Sequence, residues 1–220
     1  MKRCRIWCAC LMAWLLACTG AAAAESSYEA LCAQGTATAE DTAAWIEIPG
    51  AEMCMPVMYN TRDDSFYSSH DPSGAESETG SLYIQTAYSA ADLSDPVTVI
   101  YGSSKAEGAP LRDMQQLYSG SFDECRDIIM YLPDRTLEYK VFAAVPYSSV
   151  HILHYYDFTQ QRRYDGFFDG VYSTRMLGMH LDEDNRPEFG DQVLILSTGL
   201  RGDGMQRYLV MAKLVAADTH

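Results

Sequence analysis

Residues Val193 to Val210 read Val-Leu-Ile-Leu-Ser-Thr-Gly, then Leu-Arg-Gly-Asp-Gly-Met-Gln, then Arg-Tyr-Leu-Val. The first part is an apolar run of strand-forming residues that ends in polar side chains, and the second part is rich in glycine. The third part opens a new apolar run. We therefore predict a strand that ends at Thr198 and Gly199, a loop, and a second strand that begins near Arg207.

The stretch Val97 to Ser103 has a similar design. Its first five residues, Val-Thr-Val-Ile-Tyr, form the pattern of a buried strand, and Gly102 and Ser103 follow as a turn. Residues 137 to 145 alternate between apolar and polar, as a half-buried strand does. Apolar residues at helical spacing predict helices over residues 111–118, 122–130 and 164–177.

These stretches, in this order, are similar to the sortases, and most of all to the class B sortases. The turn Ile48-Pro49-Gly50 before the Pro56-Val57 strand resembles the family's opening, and residues 63–71 resemble an aromatic segment with a structural histidine, here His70. The resemblance covers roughly residues 45–215. It implies a mainly β fold, a sortase-like closed β-barrel of about eight strands with flanking helices, and the class B type helix before the penultimate strand.

The resemblance also implies where a site would lie. Members of the family carry a nucleophilic cysteine where this chain has Gly199 and a histidine where it has Ser103. Arg207 stands at the position of the family's arginine, at the usual separation. Thr198 and Ser104 lie next to these positions, and we take them as candidate binding residues.

Sortase chemistry needs a thiolate nucleophile, an imidazole that protonates the leaving amine, and donors for the oxyanion. Glycine has no nucleophile, and the hydroxyls of Ser103, Ser104 and Thr198 have no identifiable base in the sequence. We therefore predict a class B-like domain that has lost cysteine transpeptidase activity and acts as a sorting-signal peptide-binding or accessory protein at the bacterial surface. Two alternatives stay open: an active transpeptidase or peptidase that uses rearranged residues, and a structural surface protein without a ligand.

Composition limits the partners of the chain. Its 220 residues, 48% of them hydrophobic, can bury one sizeable core, so we expect a single domain and a monomer. The net charge is −14 although the first 24 residues carry only basic charges. Such an acidic surface repels nucleic acid and anionic lipid headgroups. We expect a sorting-signal peptide or a surface protein as partner, and no cofactor or metal.

Residues 1–24 have the basic start, the short apolar run and the small residues of an export signal. Two processing routes stay open: cleavage after Ala22-Ala23-Ala24, or lipidation of Cys18, because Leu15-Leu16-Ala17-Cys18 resembles a bacterial lipobox. Either route exports a domain predicted over residues 44–217, behind a flexible linker over residues 25–43. We expect it to be secreted or held at the extracellular face of the cell membrane through its N-terminal anchor alone.

Other signals in the sequence are weaker. His151 and His154 are three residues apart, which on a strand would place them on opposite faces and not in a metal site. The acidic run Asp182 to Asn185 lacks the pattern of a calcium loop. Residues 201–203 spell Arg-Gly-Asp, a tripeptide too short to predict adhesion. We expect single thiols at Cys32, Cys54 and Cys125 and no disulfide.

Overall fold

The computed structural model describes residues 28–34, 39–200 and 205–220. The predicted export signal with Cys18 and the Arg-Gly-Asp tripeptide lie outside the described residues. Within the described residues, no helix has both the length and the apolar character needed to cross a membrane.

The described residues form nine strands and four α-helices. The strands are β1 Thr42–Ile48, β2 Met53–Met58, β3 Leu82–Tyr83, β4 Val97–Tyr101, β5 Asp127–Tyr131, β6 Arg135–Ser148, β7 His180–Leu181, β8 Val193–Gly199 and β9 Gln206–Thr219. The helices are α1 Tyr28–Gln34, α2 Met114–Gly120, α3 Ile152–Tyr155 and α4 Gln161–Ser173.

Eight of the strands close into a barrel. Neighbours follow the order β5, β1, β2, β3, β4, β8, β9, β6, and β6 pairs again with β5, while β7 adds to the outer edge of β6. The pairings β2 with β3 and β4 with β8 are parallel, and the others are antiparallel. Helix α4 precedes the penultimate strand β8. The predicted closed barrel with flanking helices is therefore confirmed.

Two apolar clusters stabilise this fold, one on each face of β8. Leu194 and Leu196 belong to the cluster inside the barrel, whereas Val193 and Ile195 belong to a cluster beneath α4. Successive residues of a strand point to opposite faces, so a strand covered on both faces must be apolar at every position. This requirement explains the apolar run Val193 to Leu196 of β8, and it explains the helical spacing of the aromatic residues that α4 packs against it.

The helix predicted over residues 122–130 is wrong. Residues Asp127–Tyr131 form β5, which pairs with β1 on one side and with β6 on the other. Ile128 and Met130 are buried while Ile129 between them is half-buried, an alternation with period two. A short apolar run does not distinguish a helix from a strand, and here pairing with two distant strands decides the outcome.

The strand expected around His151 and His154 is also wrong. Residues Ile152–Tyr155 form α3, and the backbone N–H of His154 donates to Nδ1 of His151, the residue before the helix, at 3.1 Å. The two imidazole rings lie 6.3 Å apart and nearly perpendicular.

The range predicted to be a linker, residues 25–43, contains structure. It includes α1 and the first residues of β1. The hydroxyl of Tyr28 donates to the carbonyl oxygen of Thr42 at 3.1 Å, and Nε1 of Trp45 donates to Sγ of Cys32 at 3.3 Å. These long-range hydrogen bonds hold α1 against the barrel. At the other end, β9 extends to Thr219, beyond the predicted boundary at residue 217.

We expect the two-sided burial of β8 to control stability. Leu194→Ala removes a fully buried side chain from the barrel interior, which should lower the unfolding free energy by about 2–5 kcal/mol. Leu177→Ala is the matched control, because Leu177 is fully exposed, and its effect should stay within about 0.5 kcal/mol. Urea unfolding followed by circular dichroism measures both. Equal losses would contradict the core described above.

Candidate functional site

The candidate site lies where β4 and β8 end and β9 begins. Tyr101 pairs with Ser197 in the parallel ladder of β4 and β8, and Gly199 pairs with Arg207 in the antiparallel ladder of β8 and β9. Because the two ladders share β8, the loop that follows β4 reaches the same end of the barrel. Residues far apart in sequence are therefore brought together by strand pairing.

A pocket of about 420 Å³ opens at this point. Four of the five residues predicted for the site line it, namely Ser103, Ser104, Gly199 and Arg207. The rest of its lining is Ser68, Glu78, Tyr83, Tyr101, Gly102, Lys105, Ser149 and Gln206. The fifth predicted residue, Thr198, does not line it. Thr198 is buried, and its hydroxyl has no hydrogen-bond partner within the described residues.

Gly199 adopts an ordinary backbone conformation. Its φ is outside the left-handed region, and a Cβ added there would meet only Oγ of Ser104, at 3.5 Å, an ordinary van der Waals contact. The hydroxyl of Ser104 donates to the carbonyl oxygen of Gly199 at 2.8 Å, which joins the β4 loop to the end of β8. The backbone at residue 199 would therefore accept a side chain.

Arg207 lies over an aromatic wall. Its Cζ is 5.6 Å from the ring centroid of Tyr101, and Tyr101 in turn stacks on Tyr83 with centroids 5.6 Å apart. Burial raises the pKa of Tyr101 to about 12, although the nearby charge of Arg207 acts in the opposite direction. Burial also raises the pKa of Tyr83, so both phenols are neutral at physiological pH, and the guanidinium is the charged group of this wall.

Within the described residues, neither Ser103 nor Ser104 has its hydroxyl hydrogen-bonded to a base. The backbone N–H of Lys105 donates to Oγ of Ser103 at 3.3 Å, and the proton of Ser104 is used in its bond to Gly199. Within the described residues, no cysteine or histidine lines the pocket. A hydroxyl without a base is a poor nucleophile at neutral pH. Among its described residues the pocket therefore presents hydroxyls, a guanidinium and a carboxylate, and neither a thiol nor an imidazole.

His151 lies near this pocket, which sequence reasoning missed. Its ring centroid is 6.1 Å from that of Tyr101 and 4.5 Å from that of Tyr88, and Nε2 of His151 donates to Oε1 of Gln85 at 2.7 Å. Burial lowers the pKa of His151, and the nearby charge of Arg207 adds to this effect. In the sequence, the only signal at His151 is its short separation from His154. That spacing raised the question of a metal site and gave no sign of a nearby pocket.

Two other sequence signals have structural partners. Nδ1 of His70 donates to the carbonyl oxygen of Phe66 at 2.8 Å, and the two rings stack with centroids 3.8 Å apart. Asp182, in the acidic run, forms an ion pair with Arg126. Within the described part of the chain, no group of three or more histidine, cysteine or carboxylate side chains is arranged to hold a metal ion.

Comparison with solved structures identifies the fold. Clostridium perfringens sortase B superimposes with a TM-score of 0.68 at 17% identity, over 81% of this chain and 96% of that one. Staphylococcus aureus sortase B, solved in complex with a substrate, gives 0.67 at 19% identity, over 80% and 81% of the two chains. Bacillus anthracis sortase B in complex with AAEK2 gives 0.66 at 18% identity, over 84% and 81%.

No protein-family model matches the sequence, and a search of curated proteins found no match. The solved structures, at 17–19% identity, show that the chain has the class B sortase fold, as the sequence predicted.

Alanine substitutions at two glycines of the site should have different effects on the unfolding free energy. A Cβ at Gly102 would lie 2.7 Å from side-chain atoms of Leu82 and Leu111, both buried, so Gly102→Ala should cost about 1–3 kcal/mol through overpacking. Gly199→Ala has room and should change the unfolding free energy by less than about 1 kcal/mol. Denaturant unfolding of the two variants tests this. A larger loss at Gly199 would mean that the end of β8 is tightly packed.

The environment of His151 should be visible in its titration. Because burial lowers its pKa below the ordinary value of 6.5, the unfolded chain takes up the proton at a higher pH than the folded chain does. The corresponding stability is present above about pH 6.5 and is lost as the pH falls through the folded pKa. We expect the imidazole NMR signal to titrate below 6.5, and His151→Gln to reduce the acid-induced loss of stability. A higher pKa would contradict the burial of this ring.

Proposed function

We propose that this protein is an exported domain with the class B sortase fold that has lost cysteine transpeptidase activity and binds a sorting-signal peptide or accessory surface partner. The observation that carries the proposal is the composition of the pocket: Gly199 and Ser103 stand where a thiol and an imidazole would be needed, while Arg207 remains. The pocket geometry persists without the reacting groups.

The chemistry of acyl transfer supports the loss of activity. A thioester needs a sulfur atom at the end of β8, and the two described cysteines of the barrel, Cys54 and Cys125, are on β2 and in the turn before β5. An oxyanion donor and substrate binding alone leave only a small residual acceleration in enzymes stripped of their nucleophile and base. The polar pocket can therefore bind a peptide and release it unchanged.

A peptide is the ligand class that the surroundings favour. The pocket combines an aromatic wall, Tyr83 and Tyr101, with serine hydroxyls and one guanidinium. A few convergent polar groups on an apolar wall are typical of a ligand site, and 420 Å³ is an ordinary size for one. The Staphylococcus aureus sortase B that shares this fold was solved with a substrate bound.

The location we propose follows from the predicted signal. The folded domain would be exported and either anchored through a lipid on Cys18 or released after cleavage of residues 1–24. Its contact with the membrane would then be limited to that anchor, and the acidic domain would extend into the surrounding medium.

Restoring the missing groups tests the proposal. In a Cys54→Ala background, which removes the thiol that is exposed among the described residues, Ser103→His and Gly199→Cys together should place an imidazole and a thiol beside Arg207. We expect a thioester with a sorting-signal peptide only in this double variant, because the thiol needs the histidine as the acid for amine departure. Intact-mass spectrometry after incubation with a panel of such peptides measures the adduct.

The controls separate the alternatives. Adding Arg207→Gln to the double variant should reduce the adduct, because it removes the oxyanion donor. Cleavage of any peptide by the unmodified protein would favour an active enzyme with rearranged residues. A well-folded double variant without an adduct, together with no peptide binding by the unmodified protein, would favour a structural protein without a ligand.

A further inference from the structure

Two cations, Arg207 and Lys105, line the pocket and have no ionic partner among the described residues. Neither Arg207 nor Lys105 forms an ion pair within the described residues, and the structure gives the guanidinium of Arg207 no hydrogen-bond acceptor there. Other basic side chains do reach carboxylates: Arg126 with Asp182, Lys140 with Asp127, Arg186 with Asp169, and Lys213 with Asp191. Arg62, Arg162, Arg163 and Arg175 also form no ion pair within the described residues, but they do not line this cavity. The distinctive feature is that Arg207 and Lys105 line one cavity in a chain with net charge −14.

Arg207 is placed to receive a planar anion. It is half-buried, it lies over the ring of Tyr101, and its strand neighbour Gly199 has no side chain to obstruct the approach. A guanidinium presents several N–H donors in one plane, which match the two oxygens of a carboxylate. The carbonyl of an internal peptide bond is neutral and offers a single acceptor atom. Its interaction with the guanidinium is therefore weaker than that of a carboxylate.

The charge of the pocket limits the anion. Glu78 also lines it, so the charged side chains among the described lining residues amount to two positive charges and one negative charge. A carboxylate with one negative charge matches this balance. A phosphate group, with about 1.5 to 2 negative charges, would meet stronger repulsion from Glu78 and from the acidic chain as a whole.

From this juxtaposition we infer that the pocket recognises the C-terminal carboxylate of an extended peptide, held by Arg207 with support from Lys105, and not an internal segment of a longer chain. The inference rests on the proposed function, because it specifies which end of a peptide occupies the same pocket. The protein would then bind peptides that already end in a free carboxylate, such as the products of a separate cleavage reaction.

The test compares peptides that differ only at their C-terminus. N-acetylated peptides that end in threonine are prepared as the free acid and as the C-terminal amide, and their affinities for the unmodified protein are measured by isothermal titration calorimetry. We expect the free acid to bind about tenfold more tightly, which is the order of one charge-assisted hydrogen bond. The preference should weaken as salt concentration rises.

Variants identify the source of the preference. Arg207→Gln should abolish the difference between acid and amide, and Lys105→Gln should reduce it. Glu78→Gln should strengthen binding of the acid, because it removes the negative charge of the pocket. Lys140→Gln is the matched control, since Lys140 on β6 is paired with Asp127 on β5 outside the pocket, and it should leave the preference unchanged.

The outcomes distinguish the two proposals. Equal binding of acid and amide would overturn the carboxylate inference and leave peptide binding intact. No binding of either form would overturn the proposed function and this inference with it. Inorganic phosphate that competes more strongly than acetate would overturn the choice of a carboxylate as the anion.

Discussion

Strand β8 pairs in parallel with β4 and antiparallel with β9, and the geometry of the candidate site depends on this double pairing. Backbone hydrogen bonds in a buried ladder leave little freedom in register, because a shift by one residue would exchange the two faces of the strand. Both faces of β8 are covered, one by the barrel interior and one by the layer beneath α4. Strand β8 is consequently held at both edges and on both faces, and the pocket forms where it ends.

This arrangement separates the shape of the site from its chemistry. The ladders position residue 199 beside residue 207 whatever the side chain at 199, and the hydroxyl of Ser104 joins the β4 loop to the carbonyl oxygen of Gly199. Loss of a reacting group at the surface of the pocket costs the fold little, whereas loss of an apolar side chain from β8 would open a cavity. A barrel of this kind can therefore retain a pocket after catalysis has been lost.

Electrostatics give the retained arginine a different role. In a reacting site a guanidinium stabilises charge that develops in the transition state, which requires a nucleophile to generate it. Glycine provides no nucleophile, so under the function proposed above Arg207 acts on charge that a ligand already carries. Its position over Tyr101, together with the nearby cation of Lys105, makes the pocket a local exception in an acidic chain.

The sequence by itself determined β8, β9 and α4, because long apolar patterns ending in glycine or polar residues leave few alternatives. It also determined that positions 103, 199 and 207 are serine, glycine and arginine. Only the tertiary structure decided that residues 127–131 form a strand, that α1 packs on the barrel, and that His151 approaches Tyr101. These outcomes depend on contacts between residues far apart in the chain, which a local pattern does not contain.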